Sequence, residues 1–154
     1  MFRYASSSRQ TNGMSMNNNV TDANIVLVYD KQCPACSMYC RMVRLRESVG
    51  ELKLIDARDG GMLVDEITAR GWDIDQGMVL KLDNELYYGA DATHVLSLIS
   101  SRNGFFNRLN HGLFKNPIAA KLFYPVLRSC RNLLLKILGR TKINNLNVPG
   151  NDRF

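Results

Sequence analysis

The sequence predicts an α/β domain ordered β-α-β-α-β-β-α, with a four-stranded mixed sheet and a basic helical C-terminal extension. Three observations carry that expectation. A short apolar β-branched run, Ile25-Val26-Leu27-Val28-Tyr29, is followed at once by a helical pattern, the signature of a β-α crossover. Turn residues Asp83-Asn84-Glu85 sit between two short apolar runs, as in a hairpin. The last third of the chain changes character, with 10 basic residues and one acidic residue over 101–154.

The elements follow in order. Residues 1–23 are rich in Ser and Asn and show no period, which predicts a disordered leader. The strand 25–29 ends at Asp30, and Cys33-Pro34-Ala35-Cys36 opens a helix. Pro34 suits a first turn, where a missing N–H costs nothing. Met38, Met42, Val43 and Leu45 extend the pattern toward Gly50, giving about four turns. Leu52–Asp56 reads as a second strand and Met62–Ala69 as a short amphipathic helix stopping at Gly71. Met78–Leu82 and Leu86–Tyr88 form the hairpin, and Asp91 reads as the cap of a helix with Val95, Leu96, Leu98 and Ile99 on its apolar side. The crossover makes the first strand pair parallel and the hairpin adds antiparallel strands, which is a thioredoxin-like arrangement.

Beyond residue 102 the pattern is helical. Ile118, Leu122, Val126, Cys130, Leu133, Leu134 and Ile137 recur every three to four residues, while Lys121, Arg128, Arg131, Asn132 and Lys136 fall largely elsewhere. The apolar face is expected to pack on the core, with Cys130 in it, and the charges to face water. Pro125 should kink or split this helix near Tyr124, and Gly139 should stop it. The organisation is thus a leader over 1–23, a thioredoxin-like domain over 24–102, a helical extension over 103–142 packed on it, and a flexible tail over 143–154.

Composition narrows the function. The net charge of +6 is an average: residues 1–100 carry 10 basic and 13 acidic side chains, so the positive excess belongs to the extension. No nucleic-acid-binding motif accompanies it, and no nucleic acid partner is expected. No apolar run approaches the roughly 20 residues of a spanning helix. A secretory signal is not evident, and odd thiols remain beside CPAC, so the expected location is cytoplasmic, with organelle import through the leader left open.

The chemistry lies in the cysteines. Two thiols three residues apart, the first at a helix N-terminus, suit dithiol–disulfide exchange. Unpaired N–H groups and the helix dipole stabilise a thiolate there, and one helical turn brings the sulfurs together. Cys33, expected to be the more exposed, should attack a substrate disulfide, and Cys36 should resolve the mixed disulfide. Asp30 has two readings: a cap near the helix start, or a proton relay to Cys36 that would also oppose thiolate formation. Cys40, on the same helical face, reads as a buried small side chain, a third redox thiol or a metal ligand. His94 and His111 lack a partner motif. Trp72 reads as packing. Arg41, Arg44 and Arg46 read as a solvated face, or as a feature favouring anionic thiols.

Tyr29-Asp30-x-x-Cys33-x-x-Cys36 resembles the DCC-type thiol–disulfide oxidoreductase-like proteins. The likeness continues through Leu54-Ile55-Asp56, Gly89-Ala90-Asp91-Ala92, Tyr124-Pro125 and Leu138-Gly139-Arg140, covering about residues 24–142. It implies a thioredoxin-like fold, disulfide oxidoreductase activity, Cys33 and Cys36 as the redox pair, and Asp30 as the associated acid. The chain departs from the pattern at Lys31, where the family commonly has Gly. Gln32 and Gly77-Met78 stand where thioredoxins carry a Trp and a cis-Pro. The expected partners are a small thiol or protein disulfide and an electron donor, with no metal and no organic cofactor. A second reading is an adaptor that meets a membrane surface or acidic partner through residues 105–142, with CPAC as a switch. A third is a zinc-binding module.

Overall fold

A computed structural model describes residues 25–43, 45 and 50–154. The leader over 1–23, Arg44 and Arg46 lie outside the described residues. Among the described residues the chain is mixed α/β, with a four-stranded mixed sheet and five α-helices, consistent with a thioredoxin-like fold. The elements are β1 (Ile25–Tyr29), α1 (Pro34–Met42), β2 (Leu52–Asp56), a 3-10 turn (Ala57–Asp59), α2 (Met62–Ala69), β3 (Val79–Leu82), β4 (Glu85–Tyr88), α3 (Ala90–Ile99), α4 (Phe105–Phe114) and α5 (Pro117–Ile137).

The sheet order is β2-β1-β3-β4. β1 pairs parallel with β2, Ile25 opposite Leu52, and antiparallel with β3, Leu27 opposite Leu80. β1 is a central strand, which is why its first four residues are all buried and its sequence is uninterrupted by polar side chains. Alternation then divides the core. Ile25, Leu27 and Leu80 meet Cys40 and Val43 beside α1 and Ala92 and Leu96 of α3. Val28 and Val79 meet Val64 and Ile67 of α2, together with Ile74. The first turn of α1 therefore leaves the C-terminal end of the central strand, where crossover connections place reactive loops.

Four expectations fail here. α1 ends at Met42, not near Gly50, because Val43 turns extended (ψ 126°) and is buried, and Leu45 bridges to Ser100. α5 is unbroken over 21 residues; Pro125 lies inside it, on the exposed side, where a carbonyl freed by the missing N–H can meet water. Its stop at Gly139 is as expected: Gly139 has φ +62°, and its N–H and that of Arg140 close on Lys136 and Leu135 carbonyls.

The third concerns orientation. α5 turns Ala120 and Leu135, with partly buried Tyr124 and Arg131, toward the domain. Its longer apolar stripe faces outward, so Cys130 is exposed and not a core residue. The inward position of Tyr124 is set by close approach. A Cβ on Gly77 would stand 2.8 Å from the Tyr124 hydroxyl and 3.1 Å from Gly89 Cα, so only glycine admits the ring there.

Residues 143–154, expected to be a flexible tail, are fastened to the domain. The buried Asp75 carboxylate accepts the Ile143 and Asn144 amides at 2.8 and 2.7 Å. Asn145 accepts the Ile74 N–H and donates to Thr68 Oγ1 and the Trp72 carbonyl. Asn side chains that pair with backbone groups have no hydrophobic period, so the sequence pattern does not show this clasp.

Candidate active site

Cys33 is the N-cap of α1, and its Sγ accepts the Cys36 N–H at 3.2 Å. The thiol therefore occupies the position where a helix offers unpaired donors and the positive end of its dipole. Its pKa is lowered to about 6. The largest cause is a hydrogen bond from the Cys36 side chain; the Cys36 N–H and the Arg131 guanidinium add to it, and burial opposes them. The Cys36 pKa moves the other way, raised first by that same hydrogen bond to Cys33 and then by burial. The pair is thus split into one thiolate and one retained proton.

Exposure is the reverse of the expectation. Cys33 has no exposed surface, whereas Cys36 is half-buried and lines a cavity of about 410 Å³. That cavity lies between the site and the C-terminal helices, walled by Tyr39, Met78, Leu113, Tyr124, Leu127 and Cys130 among others. Arg131 of α5 stands against both sulfurs.

Asp30 is buried at the end of β1. It does not cap α1; it accepts the Gln32 N–H at 3.0 Å in the loop before it. Its main partners are cations. Arg58 makes a two-pronged contact, Nε to Oδ1 at 2.8 Å and Nη2 to Oδ2 at 3.2 Å, and Arg131 Nη2 lies 3.8 Å from Oδ2. A carboxylate this close would disfavour a thiolate, but two guanidinium groups offset its charge.

Arg131 is the functional residue that the sequence pattern misses, having been placed with the solvent-facing charges. Its side chain is only 13% exposed. It donates to the Asp75 carbonyl and to Asn132 Oδ1, and the Phe154 ring lies over its guanidinium at 5.5 Å. The available signal was the stripe Ala120, Tyr124, Arg131 and Leu135, spaced four, seven and four, which a stronger apolar stripe on the same helix obscures. Arg58, brought in by the 3-10 turn, also donates to the Thr141 carbonyl at 2.6 Å, so the C-terminal segment and the site share a cation.

The remaining candidates resolve simply. Cys40 is buried in the core cluster under α1, and burial pushes its thiol up to about 12. Among the described residues no group of three His, Cys, Asp or Glu side chains could hold a metal ion. His94 and His111 each pair a ring nitrogen with a backbone carbonyl, of Phe114 and Ser97, and tie α3 to α4. Trp72 stacks on Tyr88 at 5.3 Å. Arg41 is exposed beside the cleft that carries Lys31, Gln32 and Arg140. Among the described residues no helix is long and apolar enough to cross a membrane.

No curated protein and no solved structure gives a significant match to this chain. A family match does exist, over residues 27–136, which runs from within β1 through the Cys33–Cys36 turn and nearly all of α5, including Arg131. On that match, the chain belongs to the DCC1-like thiol-disulfide oxidoreductase family.

Proposed function

We propose that the protein is a thiol–disulfide oxidoreductase in which Cys33 is the nucleophile and Cys36 the resolving thiol, on a thioredoxin-like domain over 24–102. The observation that carries this reading is the N-cap position of Cys33, with the Cys36 N–H at 3.2 Å and Arg131 against the sulfur. The Cys33 thiolate attacks one sulfur of a substrate disulfide; the S–S bond breaks, and the leaving sulfur departs with the electron pair and takes a proton. Forming the mixed disulfide consumes the charge that held the Cys36 proton. Cys36 then ionises, attacks Cys33 Sγ and releases the second substrate thiol. The resulting Cys33–Cys36 disulfide is returned to the dithiol by an external thiol donor.

Two structural features shape the step. Cys33 is closed in the resting structure, so attack follows a movement of Arg131 or of the loop at Lys31 and Gln32. Asp30 acts through Arg58 and Arg131 as a positioning residue, since both its oxygens are engaged by cations. Neither role needs a bound metal or organic cofactor.

The test is turnover of the glutathione mixed disulfide of 2-mercaptoethanol, with trapping by mass spectrometry. Wild type should turn over, Cys33→Ser should be inactive, and Cys36→Ser should accumulate one substrate thiol on Cys33. Retained turnover by Cys33→Ser would sink the assignment.

A further inference from the structure

The outward face of the two C-terminal helices is more apolar than a free surface tolerates. On α5, Ile118, Leu122, Val126, Leu133 and Ile137 follow at separations of four, four, seven and four, so they form one stripe along the helix. They are 75, 70, 60, 59 and 73% exposed. Twenty-one residues at about 1.5 Å each give a stripe about 30 Å long. On α4, Phe105, Leu109 and Leu113 add a second exposed row at separations of four. Leu109 and Leu113 of α4 and Leu127 and Leu134 of α5 line the same cavity as Cys36. Contiguous apolar surface of this extent marks an interaction site.

Charge says what covers it. Arg108, Lys115, Lys121, Arg128, Lys136 and Arg140 are all exposed on or beside these helices. Asp152 is the single acid of residues 101–154, and Asp91 of α3 pairs with Lys121 at 3.8 Å. Two copies meeting through this face would bring two such cationic segments together at a cost in repulsion. An apolar stripe flanked by Lys and Arg instead fits the boundary between headgroups and acyl chains of an anionic bilayer.

We propose that α4 and α5 form a peripheral membrane-docking face, the stripe Ile118, Leu122, Val126, Leu133 and Ile137 entering the acyl boundary and the flanking cations meeting anionic headgroups. Docked this way, the mouth of the cavity leading to Cys36 faces lipid. Docking does not depend on the dithiol, so it stands or falls separately from the redox reading.

The experiment is co-sedimentation of the full chain with phosphatidylcholine vesicles containing about 30% phosphatidylserine, beside pure phosphatidylcholine vesicles. The anionic vesicles should bind the protein and the neutral ones should bind at least about tenfold more weakly; raising salt from about 0.1 to about 0.5 M should release most of it. Leu122→Glu with Leu133→Glu, both on exposed positions, should weaken binding at least about tenfold while the helical circular dichroism stays unchanged. Cys33→Ser should bind like wild type. No binding to the anionic vesicles at about 0.1 M salt, or equal binding by the double variant, overturns the proposal. So does a solution dimer that the double variant abolishes, which would make the face a self-association surface.

Discussion

If Cys33 ionises near 6, the redox potential of the pair must carry the mark of that ionisation. Stabilising the thiolate stabilises the reduced form alone, because the disulfide has no proton to lose. At pH about 7, a thiol of pKa about 6 is ionised roughly ten to one, worth about 1.4 kcal/mol to the dithiol. For a two-electron couple that makes the protein about 30 mV more oxidising than a dithiol with ordinary thiols. The pH dependence is sharper still. Below about 6, reduction takes up two protons, and the potential falls by about 59 mV per pH unit; above it only one proton is taken up and the slope halves to about 30 mV. The break reports the Cys33 pKa. Arg131→Gln removes a secondary cause of the depression, the Cys36 hydrogen bond being the larger, so the break should rise by about one pH unit. At pH about 7 the potential should then drop by about 20 mV. The assay is equilibration with glutathione buffers from pH about 5 to about 9, read by mass spectrometry after alkylation. A single slope of about 59 mV up to pH about 8 would refute the assignment of a depressed Cys33 pKa. A break that does not move in Arg131→Gln would remove the guanidinium from the argument.

Further outcomes follow from the same geometry. Because the folded pKa of Cys33 lies below its ordinary 9.0, the reduced protein gains stability that is fully present above about 9 and is lost as pH falls through about 6; urea midpoints of wild type should therefore converge on those of Cys33→Ser as the pH drops toward 5. Asp30→Asn leaves Arg58 and Arg131 without their shared carboxylate and should cost about 3 kcal/mol in urea unfolding, a neutral result arguing that the ion pairs are dispensable. Asn145→Ala strands the Ile74 N–H and the Trp72 carbonyl, should cost about 1–3 kcal/mol, and should speed tryptic cleavage after Arg140 and Lys142; unchanged cleavage would mean the C-terminal clasp is not held at Asn145.

Legibility from the sequence followed the kind of force that builds each part. β1 and β2 read correctly to the residue because a buried strand is a short apolar run and the chain leaves it abruptly at Asp30 and Asp56. The hairpin was legible through Asp83-Asn84, and Asp83 does take the left-handed conformation (φ +52°) that such a turn uses. Cys33 and Cys36 were legible as a pair because their chemistry is local, one turn of one helix. What failed was non-local. The cavity that Cys36 lines is walled by residues of α5, far along the chain, and nothing in the CPAC turn encodes that. α5 itself misled because its strongest periodicity faces outward, so amphipathicity gave the right element and the wrong side.

Arg131 shows why the sign of that error matters. A buried guanidinium on the inner face of a helix is costly unless anions surround it, and here the anions are the Asp30 carboxylate and the Cys33 thiolate, with the Asp75 carbonyl completing its donors. The charges support one another: Arg131 adds to the stabilisation of the Cys33 thiolate, and without Asp30 and Cys33 it would be a buried cation with no anion beside it. Oxidation of the pair removes the thiolate charge. The guanidinium then keeps only Asp30 as an anionic partner at 3.8 Å, a carboxylate that Arg58 already holds at 2.8 Å. On the proposed reaction, Arg131 should therefore be held less tightly in the disulfide form than in the dithiol form. Since it packs against Phe154, oxidation by that reaction should loosen the C-terminal residues, and equal tryptic cleavage of the dithiol and disulfide forms after Lys142 would refute the link.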